Sequence, residues 1–587
     1  MTLIEPRPTA DAPRAARGFL ARAFGITALL SAAGSLLGLF RDLLLARLYG
    51  ADQGTDAFLV SWTVPETAAP LLIEDAMAFL MVPGFSRALA ARDEPVTTPP
   101  GRGRVPAPGR APDSVPDGAS DRASDGTEGP QRPDGRTLVQ LRDPVRELVA
   151  ATLPPLALLL AGLSAATALG APLLVRMLAP GLPDAGLAVV CTRLTALTVL
   201  PFGLTGYLSA GLRAHHRFIG PGAVYIVYNA GILTVMLLLH GSLGVRAAAA
   251  GVAFGSVLMT ALLLPLFSRH CGSLVAPRRA AARQALAISP LALLPVALFT
   301  LTRQAQVFVE RYLASSLAPG TISHLNYAEK IAQMAMTLGM MVCTVTFPLV
   351  ARALAEGDTE AARRRVEQDL ELVGAVVLAG TAVLVACAPR IVELLFQRGA
   401  FTPADTAATA AAMRVYSLGL LGQAMVGTLV RPFFSVRPAL NPGGPALRRE
   451  RSDWYPIAAM ALGLLVTAAI GTATAHRFGA PGLAAANATG ITLTAGLLLG
   501  ALRARGVPVR VPSVLLTQLR LLLAAAAATA AAVWASGRAG ADPFLAVVLG
   551  TAAGLAAFAA VALALMTGRL RTQAPAVAGR ARKGERV

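Results

Sequence analysis

Lysine and cysteine are scarce in this chain. Its 587 residues include two lysines and four cysteines, and the cysteines are Cys191, Cys271, Cys343 and Cys387. The cysteines are widely scattered, without a C-x-x-C pair and without a histidine at metal-ligand spacing. We therefore predict no metal site and no cofactor, and we interpret the cysteines as small buried apolar residues.

Charged residues are also few. They make up 14% of the chain against 55% hydrophobic residues, whereas a soluble domain carries roughly 25% charged residues. In a soluble protein the net charge of +19 would suggest a nucleic-acid partner. Here most of the arginines lie in short loops beside apolar stretches, where membrane orientation explains them better. The sequence therefore predicts a membrane, and no nucleic acid, as the partner of this charge.

Long apolar stretches are what the chain has in abundance. There are fourteen, and arginines collect in every second gap between them. A membrane-spanning helix needs about 20 apolar residues, and loops facing the cytoplasm are rich in Lys and Arg. The alternation predicts a multi-pass protein of the bacterial inner membrane with both termini in the cytoplasm.

Met1 to Arg22 lack the pattern of a cleavable signal peptide. We see no nucleophile, nucleotide or metal motif, so we do not expect an enzyme.

Short glycine motifs indicate an internal duplication. Gly54-Thr55 and Gly320-Thr321 each precede a span, and Gly203-Leu-Thr-Gly206 is similar to Gly419-Leu-Leu-Gly422. We predict an all-α polytopic membrane protein of about 14 transmembrane helices, with two parallel six-helix lobes around a central cavity and two C-terminal helices. The predicted divisions are a cytoplasmic tail 1–23, a first lobe 24–268, a second lobe 286–502, the additional helices 513–567 and a basic cytoplasmic tail 568–587.

Residues 93–142 differ in kind from the rest. They are rich in Pro, Gly, Ser, Asp and Arg and contain few large apolar residues. Such a segment cannot bury enough surface to offset its ordering entropy, which predicts a disordered cytoplasmic loop. By composition it is either an inert linker or a docking segment for other proteins.

Ionisable residues inside membrane spans are costly and are often functional. One group, at the end of the first span and along the second, comprises Arg41, Asp42, Arg47, Asp52, Asp56, Glu66, Glu74 and Asp75. A second group, in the seventh and eighth spans, comprises Arg303, Glu310, Arg311, His324, Asn326, Glu329 and Lys330. If the first helix continues past Phe40, Arg41 and Arg47 flank a cavity; the alternative is that both extend to the membrane interface. Lys330 either has a specific role or forms a structural pair with Glu329.

Prolines mark the second span, which we expect over 57–82. Pro65 and Pro70 lie within it and Pro83 lies at its end. Proline removes a helical hydrogen bond, and such breaks are tolerated in membranes where neighbouring helices or a water-filled cavity satisfy the freed groups. We expect kinked helices beside the buried charge.

Several runs of residues resemble one family. They are Gly38-Leu-Phe-Arg-Asp-Leu-Leu-Leu-Ala-Arg-Leu-Tyr-Gly-Ala, Gly54-Thr-Asp-Ala-Phe-Leu-Val, Asn326-Tyr-Ala-Glu-Lys-Ile, Phe347-Pro-Leu-Val-Ala-Arg, Leu394-Leu-Phe-Gln-Arg-Gly-Ala-Phe-Thr and Tyr416-Ser-Leu-Gly-Leu-Leu-Gly. They are similar to the signature of the MviN/MurJ family of lipid II flippases, within the superfamily of multidrug and polysaccharide exporters. The resemblance covers about residues 20–440.

The resemblance implies a V-shaped helix bundle whose central cavity binds a polyprenyl-diphosphate-linked glycan lipid. The matched positions imply a set of substrate-binding residues, namely Arg41, Arg47, Asp56, Glu74 and Lys330. Three positions depart from the family. Ser35 stands where a basic residue is common, and Ala69-Pro70 stand where the family has an arginine pair. Glu66, in the same run, adds a negative charge.

The resemblance thus implies a flippase that moves lipid II, or a similar cell-wall precursor, from the inner to the outer leaflet by alternating access. Two alternatives remain open at this point. A drug or cation antiporter of the same superfamily would use the carboxylates Asp56, Glu66, Glu74 and Asp75. A scaffold without transport activity would recruit cell-wall synthesis proteins through the loop 93–142.

Overall fold

The computed structural model describes residues 12–93, 143–271, 290–355, 358–435, 454–502 and 507–584, and within these ranges the chain is helical, without β-strands. The predicted loop 93–142 lies outside the described residues, except for Asp93 at a helix end. The cytoplasmic tails were predicted over 1–23 and 568–587. Helices cover residues 12–23 and 568–584 of them, and the side chains there are not described.

Three sets of helices follow one another along the chain. The first half (residues 12–271) contains α1 (Ala12–Tyr49), α2 (Gln53–Ala69), a π-helix (Pro70–Asp75), α3 (Ala76–Asp93), α4 (Pro144–Leu169), α5 (Ala171–Leu178), α6 (Ala185–Ala196), α7 (Val199–Ala214), α8 (Ile219–Leu243) and α9 (Arg246–Cys271). The second half (residues 290–502) contains α10 (Pro290–Ala314), α11 (Thr321–Ala355), α12 (Thr359–Phe396), α13 (Pro403–Ser417), α14 (Leu420–Leu429), α15 (Arg431–Ser435), α16 (Tyr455–Phe478) and α17 (Ala480–Ala501). Two long helices complete the described chain, α18 (Val511–Gly537) and α19 (Pro543–Gly584).

Ten helical segments of the described chain are long and apolar enough to cross a membrane. They agree with ten of the fourteen predicted spans. The other four predicted spans, 57–82, 286–313, 322–350 and 406–430, are helical where described but are not among the ten. The first three contain Glu66, Glu74, Asp75 and the whole second group of ionisable residues. The fourth is divided into two helices at Leu418 and Gly419. Multi-pass character is therefore clear, and the number fourteen stays a prediction.

The prolines of the second predicted span interrupt its helix. Helix α2 contains Pro65 and ends at Ala69, and a π-helix begins at Pro70. Pro83 lies inside α3. A wider π-turn is a common way for a helix to accommodate a residue that cannot continue the hydrogen-bond ladder. The expected break is present at Pro70, four residues after Glu66.

Chain junctions recur in the two halves. Gly244 joins α8 to α9 with φ 56° and ψ −140°, and Gly479 joins α16 to α17 with φ 60° and ψ −139°. Gly50 and Gly320, before α2 and α11, also have positive φ, 72° and 88°. Glycine adopts this conformation without steric penalty. The recurrence supports the predicted duplication, and the division into two lobes remains a prediction.

The two halves meet along a small set of helices. Helices α2 and α5 of the first half contact α10, α2 also contacts α11, and α1 contacts α12. A continuous cluster of buried apolar side chains extends from Leu45 and Phe58 in the first half to Tyr327 and Phe396 in the second. The interface is therefore a packed one, and it holds the ionisable residues of α1, α2, α10 and α11.

Helices α16 and α17 pack unusually closely. A methyl group at Gly490 would overlap the hydroxyl of Thr467 and the carbonyl of Gly463, both on α16. The hydroxyl of Thr494 donates to the carbonyl of Ala459, 3.3 Å away across the same pair. Small residues let membrane helices approach until hydroxyl–carbonyl hydrogen bonds form between them.

We predict that Gly490→Ala lowers the thermal unfolding temperature of the protein in detergent. Overpacking of a tight contact costs about 1–3 kcal/mol. The control is Gly496→Ala on the same helix, where an added methyl group meets nothing within 4 Å. Alanine is the better helix former by up to about 1 kcal/mol, so the control is expected to be as stable as the wild type or more so. Equal stability of the two variants would contradict the close packing.

Candidate functional site: the charged interface between the halves

Arg41 is held inside the protein by partners from the first half. Helix α1 continues past Phe40 to Tyr49, which brings Arg41 into the interior. Its guanidinium contacts Asp42 at 2.7 Å and donates to Asn229 Oδ1 at 3.1 Å. It also lies over the ring of Trp62, 4.5 Å from the centroid. The guanidinium is thus bonded at its edge by Asp42 and Asn229 and covered on its face by Trp62, which fixes its orientation. Arg41 therefore does not extend to the membrane interface.

Lys330 bonds across to the first half. Its ammonium donates to Glu66 Oε1 at 2.9 Å, so the expected alternative, a structural pair with its neighbour Glu329, is not what forms. Glu329 instead accepts from Gln333 on the next turn of α11. Arg311 of α10 is a second cation beside Glu66, with Nη2 3.8 Å from Oε2. That distance is too long for a hydrogen bond and makes the contact coulombic.

Arg41 and Lys330 line one small cavity. Its other walls are Asp42, Leu45, Phe58, Leu59, Trp62, Ile232, Met236 and Asn326. Asn326 and Lys330 come from the second half, so the cavity lies between the halves. Its volume is about 10 Å³, roughly the space that one water molecule occupies. In this conformation the basic residues are paired and the space between them is closed.

Asp56 forms a different kind of contact. It lies in the first turn of α2, which Asp52 caps by accepting from the backbone N–H of Thr55. One carboxylate oxygen of Asp56 accepts from Gly320 N at 2.7 Å, and the other accepts from the backbone N–H and the hydroxyl of Ser323, at 2.8 and 2.6 Å. A carboxylate at a helix N-terminus satisfies free N–H groups and complements the helix dipole.

This cap crosses between the halves, since it joins α2 to the start of α11. We predicted Asp56 as a substrate-binding residue; in this structure it caps α11, and a role in substrate binding stays a prediction. Both of its oxygens are already bonded, and it is not among the side chains that line the cavity.

Backbone contacts surround Asp56. Ala400 N donates to Arg47 O at 2.9 Å, and the Tyr327 hydroxyl donates to Gly50 O at 3.3 Å. Gly320 and Gly399 have positive φ, and a side chain at either would overlap the backbone of the first half. We call this region the closed end; it comprises residues 47–56 of the first half against 319–327 and 399–401 of the second.

Of the remaining predicted site residues, Arg47 is not among the side chains that line the cavity. Arg47 is at the last turn of α1, where its side chain is exposed and its carbonyl belongs to the closed end. Glu74 lies in the π-helix, and its side chain is outside the described part of the structure. Ser35 is exposed on α1 and donates to Ser31 O. Roles for Arg47 and Glu74 in substrate binding stay predictions.

Several residues of the site were not chosen from the sequence. Asp42 and Glu66 were noticed as charges, and Arg311 as one of the second group, but their partners were not predicted. Asn229 and Trp62 carry no charge, and nothing in their local sequence indicates that they contact Arg41. A lone asparagine in the apolar helix α8 was the available signal, because a buried amide needs partners.

The helical architecture and the charged residues buried between its halves define the class of this protein, a multi-pass α-helical membrane protein. Residues 138–542 match the family model described as Lipid II flippase MurJ. Because the match covers more than half of the chain, the chain belongs to the MurJ family. The matched range contains Arg311 and Lys330, whereas Arg41, Asp56 and Glu66 precede it.

Individual relatives and solved structures agree with this assignment. The chain is 25% identical to a probable lipid II flippase MurJ of Rhizobium meliloti (strain 1021) over 418 residues, 69% of each protein. It is 24% identical to the lipid II flippase MurJ of Burkholderia cenocepacia over 430 residues, 71% of this chain and 74% of the relative.

Two solved structures share the fold. A lipid II flippase MurJ in an inward closed conformation gives a TM-score of 0.68 at 15% identity, covering 93% of this chain and 99% of that one. An inward-facing multidrug resistance MATE family transporter gives 0.58 at 14% identity, covering 81% and 95%.

We predict that Asp56→Ala opens the closed end. Hydrogen bonds to a charged group contribute about 1.5–3 kcal/mol each, so losing three should shift the balance between closed and open forms at least about tenfold. The measurement is the distance between spin labels at the exposed positions Gln53 and Ala404, in protein whose four cysteines are replaced by serine.

The matched control is Asp542→Ala. Asp542 accepts from Phe544 N and Leu545 N at the start of its own helix, α19. Its removal also deletes a helix cap but touches no contact between the halves, so the label distance should not change. An unchanged distance in Asp56→Ala as well would show that the cap does not hold this end closed.

Proposed function

We propose that this protein moves lipid II, or a closely similar polyprenyl-diphosphate-linked precursor, from the inner to the outer leaflet during peptidoglycan biosynthesis. The observation that carries the proposal is the pair of cations on opposite walls of one cavity, Arg41 from the first half and Lys330 from the second, in a chain of the MurJ family. No covalent chemistry is required of the protein.

The cations suit a diphosphate. Guanidinium groups remain charged and bind phosphate oxygens bidentately, while an ammonium acts as a compact point charge. Asp42, Asn229 and Trp62 hold Arg41 in place before any ligand arrives, which reduces the entropy lost on binding. We propose that Arg41 and Lys330 contact the diphosphate directly and that the lipid tail stays in the bilayer.

Alternating access would operate at the interface between the halves. A cavity of about 10 Å³ cannot hold a diphosphate, so the halves must separate for the lipid to enter. The arginine distribution predicts an N-terminus in the cytoplasm, and this orientation would put the closed end on the outer side of the membrane. In that orientation the structure is closed toward the outside. Opening of the closed end, where Asp56 caps α11, would then release the lipid into the outer leaflet.

The membrane potential can supply energy for the transfer. Carrying about two negative charges outward against an inside-negative potential is favourable by roughly 4–5 kcal/mol per 100 mV. Coupling to an ion is therefore not needed to account for the direction of movement.

A drug or cation antiporter needs carboxylates free to bind a cation. Asp56 is fully hydrogen-bonded at the closed end, and Glu66 is paired with Lys330 and Arg311. Asp42, the carboxylate that lines the cavity, is paired with Arg41. The contacts of Asp56 and Glu66 favour the flippase over the antiporter, and the side chains of the other two candidate carboxylates, Glu74 and Asp75, lie outside the described part of the structure. The scaffold proposal rests on the loop 93–142, which the structure does not describe.

We predict that the wild-type gene sustains growth of bacteria depleted of their lipid II flippase, and that Arg41→Ala does not. Arg41 would lose charge-assisted contacts of about 1.5–3 kcal/mol each, which corresponds to at least about a tenfold loss of activity. Arg246→Ala, at an exposed arginine at the start of α9, is the control and should still sustain growth. Membrane levels of each variant are compared by immunoblot.

The other outcomes identify the rival functions. Drug resistance without rescue of growth would support an antiporter. Neither rescue nor resistance would support a scaffold, and the flippase proposal would then fail. Rescue by Arg41→Ala at wild-type efficiency would leave the function in place but remove Arg41 from the site.

A further inference from the structure

Glu66 supplies the negative charge that Lys330 and Arg311 share. The three residues, which we call the Glu66 cluster, join α2 of the first half to α10 and α11 of the second. The Glu66–Lys330 contact is 2.9 Å and the Glu66–Arg311 contact is 3.8 Å. A further hydrogen bond also joins the second half to Glu66: the side-chain amide of Gln304 on α10 donates to the backbone carbonyl of Glu66 at 3.1 Å. One residue of the first half thus contacts three of the second.

The cluster is incompletely satisfied. Among the described residues, Glu66 Oε2 and Arg311 Nε are buried without a hydrogen-bond partner. Arg311 is almost fully buried, and its Nη1 donates to the carbonyl of Ile322. A purely structural buried ion pair normally has its remaining donors and acceptors occupied, since unpaired ones are destabilising. Here a cation keeps a free donor beside Glu66, the carboxylate that pairs with the cavity residue Lys330.

The neighbouring residues show which partners Lys330, Arg41 and Arg311 would keep if the Glu66 side chain moved away. Lys330 would keep Glu329, the preceding residue of its own helix, which is engaged by Gln333. Arg41 would keep Asp42. Arg311 would keep the carbonyl of Ile322, and the buried Glu310 beside it is bonded to Asn487. Among the described residues, Glu66 is the carboxylate that lies within 4 Å of both Lys330 and Arg311. Its departure therefore removes the nearest counter-charge of both cations, and a phosphate group has both the charge and the oxygens to replace it.

We propose that Glu66 is an internal counter-ion that occupies the place of the lipid diphosphate and holds the two halves together until the diphosphate displaces it. This inference rests on the proposed function and adds a specificity-determining residue to it. Binding of the diphosphate exchanges an ion pair between the halves for one between protein and ligand. The direct contact of α2 with α10 and α11 through Glu66 is then lost, so loading of the site is linked to movement of the halves.

The exchange also selects the ligand. A lipid without a phosphate cannot neutralise Lys330 and Arg311, so the Glu66 cluster stays formed and the halves stay together. A ligand can shift an equilibrium between two conformations only by its differential affinity for them. The diphosphate has that differential affinity because Glu66 and the ligand compete for the same two cations.

The test uses the full-length protein in nanodiscs, free of its native cysteines and spin-labelled at Gln53 and Ala404. Glu66→Gln removes the charge while keeping the side-chain size. Glu393→Gln is the matched control. Glu393 pairs with Arg390 at 3.0 Å, and because both residues lie on α12, this ion pair does not join the two halves. The double variant Glu66→Lys with Lys330→Glu restores an ion pair of reversed polarity. The probes are undecaprenyl diphosphate and the uncharged undecaprenol.

The wild type should show the short label distance alone and with undecaprenol, and a longer distance with undecaprenyl diphosphate. Glu66→Gln should show the longer distance without any lipid and bind undecaprenyl diphosphate about tenfold more tightly, because the competing carboxylate is gone. Glu393→Gln should behave as the wild type. The reversed pair should recover the short distance in part, because Arg311 and Glu329 would then each face a like charge. It should also lose the response to the diphosphate, and any recovery separates loss of the contact from misfolding.

The failures of the two proposals differ. If the wild type binds undecaprenyl diphosphate but Glu66→Gln keeps the short distance and the same affinity, Glu66 is a structural residue and this inference is overturned alone. If the wild type binds neither lipid, both the flippase and the counter-ion role fail. A wild-type response to undecaprenol equal to that with the diphosphate would overturn the charge-exchange step while leaving lipid transport in place.

Discussion

Charged side chains in a membrane protein need a counter-charge or water, and this chain supplies the counter-charges from one half to the other. Lys330 and Arg311 belong to the second half, and their carboxylate, Glu66, belongs to the first. The same pairing that stabilises the interface therefore makes its stability depend on which anion is present.

The closed end works by different chemistry. Its contacts are mostly to backbone groups, with Asp56 capping α11 and Ala400 N bonded to Arg47 O. Glycines at 320 and 399 allow this approach, since any side chain there would overlap the opposite backbone. Backbone contacts do not compete with an anionic ligand. In such a transporter the anionic ligand would break the contacts of the Glu66 cluster. The contacts of the closed end would break only when the halves move apart.

Much of the fold was readable from the sequence because apolar length and arginine placement are local properties. The all-helical membrane class was confirmed, and the runs around Arg41, Lys330 and Gly399 led to the family that the chain belongs to. The break at Pro70 followed from proline chemistry. The recurrence of the junctions at Gly244 and Gly479 supports the duplication that short glycine motifs had suggested.

The sequence by itself determined which residues carry charge into the membrane, because an ionisable group in an apolar run is visible at its own position. Only the tertiary structure decided how they pair. Glu66 and Lys330 are 264 residues apart, and Asp56 and Ser323 are 267 apart. No local pattern encodes such pairings, since they arise from how helices from the two halves pack together. In the structure Asp56 caps α11 of the other half, and Glu66, a departure from the family pattern, pairs with Lys330 and Arg311.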